Sequence, residues 1–216
     1  MESSQQDQAA QLQHIRQMME QSSRFISLSG LSGIAAGICA LAGAYFAGGV
    51  INRSGGNSLK ELDNHLYNGN LTVRDYMGNN LFLIAVFTFI AALVLATLFT
   101  WLRSKKTATP FWGSASKRLM INVAIPMIAG GIYILKLTEQ GSFGLIAPGC
   151  LIFYGLGLVN ASKYTLGEIR FLGYGQLLLG IINLWYMGSG LYFWAAGFGV
   201  LHIVYGAIMW SKYERE

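Results

Sequence analysis

The chain has 216 residues, of which 53% are apolar and 12% are charged. A soluble domain carries about 25% charged residues, so these charges are too few to cover a soluble surface. Disordered chains combine high charge with few apolar residues, which is the opposite composition. The composition therefore predicts an integral membrane protein that crosses the bilayer several times.

The N-terminal segment, residues 1–23, is mostly polar. Leu12, Ile15, Met18 and Met19 recur at helical spacing, which predicts a cytoplasmic amphipathic helix. Such a helix either docks or dimerises on the cytoplasmic side, or it lies against the membrane, or it simply extends the first span. The apolar stretch that follows is longer than the 7–15 residues of a signal-peptide core, so we expect a retained span.

Stretches without charge outline the spans, because a charged side chain at the centre of an inserting helix costs about 2.5–3.5 kcal/mol. About 20 helical residues cross the hydrocarbon core, so the uncharged residues 171–211 hold two spans that turn at 188–190. The sequence thus predicts an all-α, polytopic membrane protein, a bundle of six transmembrane helices in antiparallel hairpins within residues 24–216. The predicted spans are 25–48, 81–102, 119–137, 143–161, 169–187 and 191–210, with an outer loop at 49–80.

The distribution of Lys and Arg predicts the orientation. If the N-terminus is inside, the inner segments hold eleven of the 15 basic residues and the outer segments hold four. By the positive-inside rule, both termini are then cytoplasmic. This topology accounts for the net charge of +5 without a nucleic-acid partner.

Small residues in the first span predict close helix packing. Gly33 and Gly37 form a small-xxx-small pattern, which lets two helix backbones approach closely in lipid. This face either packs within the chain or forms a homodimer. The expected partners of the chain are the lipid bilayer and either a second copy of the chain or another membrane protein. In the third span, Pro126 pushes on the carbonyl of Asn122, and we expect a kink there.

The fourth and sixth spans resemble each other. Residues 149–155, GCLIFYG, align with residues 199–206, GVLHIVYG, if one residue is inserted, and Ser-Lys-Tyr follows both. A repeated helical hairpin explains this likeness, and so does the shared Gly/Tyr-rich composition combined with basic inner ends.

Polar side chains inside spans are costly and are therefore candidate functional residues. At 1.5 Å rise per residue from the inner charges, five of them fall in the inner half of the bundle, whereas Asn183 falls in the outer half. We predict a ligand-binding polar cavity that opens to the cytoplasm, with interhelical hydrogen bonding as the alternative interpretation. The five candidate ligand-binding residues are Asn122, Tyr154, Gln176, His202 and Tyr205.

Catalytic, metal and cofactor motifs are absent from the sequence. Gly30-Leu-Ser32-Gly33 is similar to the serine motif of rhomboid-type proteases, and His202 lies at a similar depth, but the oxyanion group of those enzymes is missing. Cys39 and Cys150 are lone thiols in different spans, which favours simple packing roles. We therefore assign no catalytic residue, no metal and no cofactor.

The preferred hypothesis is a non-enzymatic membrane protein that binds a lipid, a small ligand or a partner. The alternative is a small channel or carrier for a neutral or hydrophobic solute. An intramembrane serine hydrolase is the remote alternative.

Two stretches carry a resemblance to a known group of proteins. Residues 118–131, RLMINVAIPMIAGG, and residues 153–175, FYGLGLVNASKYTLGEIRFLGYG, resemble a family of small six-span bacterial inner-membrane proteins. That family has no established activity. The resemblance implies the six-span topology and a bacterial inner (cytoplasmic) membrane, and it supplies no catalytic residues.

Overall fold

The computed structural model describes residues 29–53, 80–107 and 112–215. The predicted N-terminal helix at 1–23 and most of the outer loop at 49–80 lie outside the described residues. Within these three ranges the regular structure is entirely helical, with no strand, as the sequence predicts. The described helices are α1 (Gly30–Arg53), α2 (Asn80–Lys106), α3 (Ser114–Glu139), α4 (Ile146–Ala161), α5 (Ile169–Asn183) and α6 (Gly190–Tyr213).

Most of these helices fit a membrane by length and composition. Five helical segments in the described ranges are long and apolar enough to span: α1, α2, α3, α4 together with its preceding 3₁₀ turn, and α6. Helix α5 has 15 residues, which corresponds to about 22 Å at 1.5 Å per residue. The predicted fifth span at 169–187 therefore contains a helix shorter than expected.

The outer surface of the bundle is apolar. In α2 the buried residues are Thr100 and Ser104, whereas Phe87 is 69% exposed and Leu93 is 52% exposed. A soluble protein of this size rarely exposes so continuous an apolar surface. The helices are compatible with those of an integral membrane protein.

The last helix returns to the first. Helix α1 lies between α2 and α6, and α6 also packs against α4 and α5. Helix α4 packs between α3 and α5. Consecutive helices from α3 to α6 are therefore neighbours, as the short connections predict.

Glycines allow α1 and α6 to touch backbone to backbone. A methyl group at Gly206 would lie 2.6 Å from the carbonyl oxygen of Gly30 and 2.6 Å from the backbone nitrogen of Ile34. At Gly33 the nearest atom to such a methyl is the Cα of Gly206, at 3.2 Å, and Gly37 faces Gly199 in the same way. The small-xxx-small face of α1 thus packs within the chain, against α6.

A carboxylate joins the start of α1 to the ends of α2 and α6. Glu214 accepts hydrogen bonds from the Ser29 hydroxyl at 3.2 Å, from the Gly30 N–H and from Nη1 of Arg103 at 2.6 Å. The first N–H groups of a helix lack partners within the helix, and the helix dipole favours an anion there. Glu214 therefore caps α1 from the opposite end of the sequence.

Helix α3 runs through Pro126 without interruption. A proline cannot donate to the carbonyl four residues earlier, which belongs to Asn122. Asn160 of α4 takes that place, since its Nδ2 donates to the Asn122 carbonyl at 2.9 Å. The proline thus leaves an acceptor that α4 satisfies, and this bond joins the start of α3 to the end of α4.

Candidate functional site

Three of the five predicted site residues meet between α4, α5 and α6. The hydroxyl of Tyr154 lies 2.8 Å from Nε2 of His202. The Gly197 carbonyl accepts from Nε2 of Gln176 at 2.8 Å and lies 3.0 Å from Nδ1 of His202. We call Tyr154, Gln176, Gly197 and His202 the core cluster.

The hydrogen-bond partners in the core cluster determine which groups donate at Nδ1 of His202 and at the amide of Gln176. A carbonyl oxygen only accepts hydrogen bonds, so Nδ1 of His202 carries the hydrogen that faces Gly197. In the neutral ring, Nε2 accepts from the hydroxyl of Tyr154. The NH₂ group of Gln176 likewise faces the Gly197 carbonyl, because the amide oxygen would be repelled there. Both ring nitrogens of His202 are therefore engaged.

A local change of helix type brings the Gly197 carbonyl into the cluster. Residues Ala195–Leu201 of α6 are π-helical, and the α-helix resumes at His202. Such wide turns occur mostly as single-turn bulges and often lie at functional sites. Here the turn presents a backbone acceptor to two side chains on two different helices.

The core cluster is enclosed. Gln176 is 0% exposed and His202 is 6% exposed. Phe198 covers one side, with its ring centroid 5.1 Å from that of Tyr154 and 6.1 Å from that of His202. A methyl group at Gly197 would lie 2.6 Å from Oε1 of Gln176, so the amide of Gln176 would have to shift to admit it.

Some hydrogen-bonding capacity is left unused. In the described residues, the buried side-chain atoms without a hydrogen-bond partner are Oε1 of Gln176, Oδ1 of Asn183 and the hydroxyl of Tyr205. Buried polar atoms usually have partners, and each exception needs an explanation. Tyr205 follows His202 by one helical turn, while Asn183 lies two turns after Gln176 on the same face of α5. Unused acceptors therefore lie on both sides of the core cluster.

Asn122 lies apart from this cluster. Its Nδ2 donates to the carbonyl of Arg118 at 2.8 Å, and its oxygens face Asn160. It links α3 to α4 and has no hydrogen bond to Tyr154 or His202. Asn160 and Gly197 were not among the residues predicted from the sequence. Pro126 indicates the role of Asn160, because it leaves a carbonyl that needs a donor.

The serine–histidine pair of the remote alternative does not form in the described structure. The hydroxyl of Ser32 donates to the carbonyl of Ser29, and both ring nitrogens of His202 are occupied by other partners. A general base must lie within hydrogen-bond reach of the nucleophile that it activates. Ser32 and His202 therefore lack the mutual contact that a serine–histidine dyad needs.

A second polar group lies outside the helical core, at the turn between α4 and α5. Oε1 of Glu168 accepts from Nζ of Lys212 at 2.6 Å and from the hydroxyl of Tyr213 at 2.6 Å. These two hydrogen bonds lower the pKa of Glu168 to about 2. The contact ties the start of α5 to the end of α6.

Comparisons with protein-family models, with curated proteins and with solved structures found no match to this chain. The fold and the core cluster therefore define a class, an all-helical bundle with the helices of an integral membrane protein and a buried polar cluster. Its function has to be inferred from its own residues.

Proposed function

We propose that the chain is a six-span protein of the bacterial inner membrane with both termini in the cytoplasm. We also propose that it acts without catalysis, by binding a lipid, a small ligand or a protein partner. Of the eleven Lys and Arg residues in the described ranges, nine lie at the end of the bundle where Glu214 caps α1. Arg53 and Lys136 lie at the other end. This asymmetry supports a cytoplasmic location for the end that carries Glu214.

The direction of α5 supports a sixth crossing. Glu168, just before α5, bonds to Lys212 near the end of α6. At the other end, Oδ1 of Asn183 lies 3.9 Å from the Cβ position of Gly190, where α6 begins. Helix α5 therefore runs between the two ends of the bundle despite its 15 residues. A short span is accommodated by local thinning of the bilayer.

The topology is testable with alkaline phosphatase fusions, since that enzyme is active only in the periplasm. We expect a fusion after residue 216 to be inactive and a fusion after residue 65 to be active. Activity after residue 216 together with silence after residue 65 would overturn the orientation.

The binding site that we propose is the core cluster together with Tyr205. The observation that carries it is Oε1 of Gln176, an enclosed acceptor without a partner beside the Tyr154–His202 hydrogen bond. A ligand with an N–H or O–H group would satisfy this oxygen and the Tyr205 hydroxyl. The matching ligand is small and uncharged, because the described part of the site contains no opposite charge to compensate an ion.

Extraction of the purified protein tests this site. Wild type and Gln176→Leu are purified from the same membranes, and co-purified molecules are extracted and quantified by mass spectrometry. Tyr174→Phe is the matched control, because Tyr174 lies on the same helix and is 51% exposed on its outer side. Tyr205→Phe is a milder variant that removes a single hydroxyl.

We expect one compound in near-equal amount to the protein from wild type and from Tyr174→Phe. Gln176→Leu should lose it, and Tyr205→Phe should retain less of it. Circular dichroism checks that all variants keep their helices. The site is refuted if wild type yields no such compound, or if all four extracts are the same.

A specific observation favours a carrier or channel for a neutral solute as the second candidate. The three unpartnered oxygens follow one another along α5 and α6, from Tyr205 through Gln176 to Asn183. Liposome swelling with glycerol as the solute separates the two functions. Uptake faster than in empty liposomes, and its loss in Asn183→Leu, would favour transport; uptake equal to that of empty liposomes would favour binding.

A further inference from the structure

One face of α3 combines an exposed basic end with an exposed apolar stripe. Ile121, Ile125, Ile128 and Ile132 recur every three or four residues, and each is between 60% and 64% exposed. Lys117 begins the same stripe, one turn before Ile121, and is exposed. The four isoleucines extend over about 16 Å, which is about one leaflet of a 30 Å hydrocarbon core.

Two more cations share the basic end. Arg118 is exposed on the first turn of α3, and Lys163 is exposed just after α4. The Asn160–Asn122 hydrogen bond holds these two helix ends together. Lys117, Arg118 and Lys163 form what we call the α3–α4 corner.

The charges of this corner are not neutralised within the described residues. The two described acidic residues at this end of the bundle already have basic partners, since Glu168 pairs with Lys212 and Glu214 pairs with Arg103. The remaining described acid, Glu139, pairs with Lys136 at the opposite end of α3. The corner therefore presents three positive charges that attract an external anion.

We propose that the α3–α4 corner and the isoleucine stripe bind an anionic phospholipid. The phosphate lies against Lys117, Arg118 and Lys163, and one acyl chain lies along the four isoleucines. Basic sites between membrane helices on the cytoplasmic side bind anionic lipid headgroups in this way. Isoleucine is stiff at χ1, so the stripe keeps its shape when an acyl chain packs against it. This inference goes beyond the core cluster, whose proposed ligand is small and uncharged, and it rests on the proposed location of the chain in a membrane.

Lipid titration tests the proposal on the full chain. The protein in detergent micelles is titrated with dioleoyl phosphatidylglycerol or dioleoyl phosphatidylcholine, and bound lipid is counted by native mass spectrometry. The test variant carries Lys117→Gln, Arg118→Gln and Lys163→Gln. The matched control carries Lys105→Gln, Lys106→Gln and Arg215→Gln, which remove the same charge from the same end of the bundle.

We expect wild type and the control to bind phosphatidylglycerol at least tenfold more tightly than phosphatidylcholine. The test variant should lose this preference. Ile125→Ala with Ile128→Ala should weaken phosphatidylglycerol binding several-fold, whereas Leu93→Ala with Val94→Ala on α2 should not. Millimolar inorganic phosphate should compete weakly, because it has no acyl chain.

Three results would overturn the lipid site: equal binding of the two lipids, equal losses in the test variant and the control, or full displacement by inorganic phosphate. These outcomes are separable from failure of the proposed function. The fusions could show the opposite orientation, and the extraction could recover no compound from the core cluster, while the lipid preference of the α3–α4 corner stays unchanged.

Discussion

The contact between α1 and α6 makes a direct prediction about Gly206. Replacement by alanine would place a methyl group 2.6 Å from two backbone atoms, the carbonyl oxygen of Gly30 and the nitrogen of Ile34. Backbone atoms cannot turn aside as a side chain does. The two helices must therefore separate along the seam when Gly206→Ala is introduced.

The size of the effect follows from two opposing contributions. Overpacking of a well-packed interface costs about 1–3 kcal/mol, and a clash with backbone belongs at the upper end of this range. Alanine gains back up to about 1 kcal/mol in helix propensity over glycine. We expect Gly206→Ala to lower the free energy of unfolding by about 2 kcal/mol, since membrane helices associate through packing rather than through a hydrophobic force.

Gly131 is the matched control. A methyl group at Gly131 would meet no atom within 4 Å, so Gly131→Ala should keep or raise stability. Unfolding by sodium dodecyl sulfate in mixed micelles, followed by circular dichroism, measures both variants against wild type. The double variant Gly30→Ala/Gly206→Ala should lose less than the sum of the single losses, because the first methyl already separates the helices. Equal stability of Gly206→Ala and Gly131→Ala would refute the seam.

Three further predictions concern the polar contacts. Glu214→Ala removes the cap of α1 and should lower the free energy of unfolding by about 2 kcal/mol in the same assay, as expected for hydrogen bonds to a charged group. Arg215→Ala should lower it little, and equal losses in the two variants would contradict the cap. Because the pKa of Glu168 is lowered, its contact with Lys212 and Tyr213 stabilises the fold fully above pH 4.5, and this stabilisation is lost as the pH falls towards 2. The difference in unfolding free energy between wild type and Glu168→Gln should shrink over that interval, and a constant difference would refute the stabilising role of this contact. Tyr154→Phe removes the hydroxyl that bonds to His202 and should cost about 0.6 kcal/mol, the average for such bonds in membranes; a loss above about 2 kcal/mol would show that the hydroxyl holds more than this one bond.

The helices could be predicted from the sequence because charge and apolar length determine where a chain enters lipid. The ends of the helices could not be predicted, because they depend on local polar contacts. The predicted span 119–137 lies inside the longer helix Ser114–Glu139, since helices continue beyond their apolar part. Conversely, α5 stops at Asn183, whose Nδ2 donates to the Tyr186 carbonyl and favours a turn.

The candidate site was predictable in depth but not in direction around each helix. Counting 1.5 Å per residue placed Asn122 and Gln176 at similar heights. Which helix each side chain faces depends on packing, and packing depends on where glycines allow close approach. Gln176 faces Gly197, whereas Asn122 faces Asn160. Glu214 was missed as a cap because its partner, Gly30, lies 184 residues away.

The likeness between α4 and α6 now has a structural counterpart. When GCLIFYG at 149–155 is aligned with GVLHIVYG at 199–206 on their shared Gly, Leu, Ile, Tyr and Gly, the extra residue is His202. The π-helical residues Ala195–Leu201 end immediately before it. A π turn closes with an i→i+5 bond and so holds one more residue than an α turn, which is what an insertion requires. The inserted residue therefore accompanies the wider turn and also supplies the imidazole that bonds to the Gly197 carbonyl. In this alignment Tyr205 and Gly206 keep the positions of Tyr154 and Gly155, so the insertion adds His202 to the core cluster while the glycine that packs against a neighbouring helix is retained.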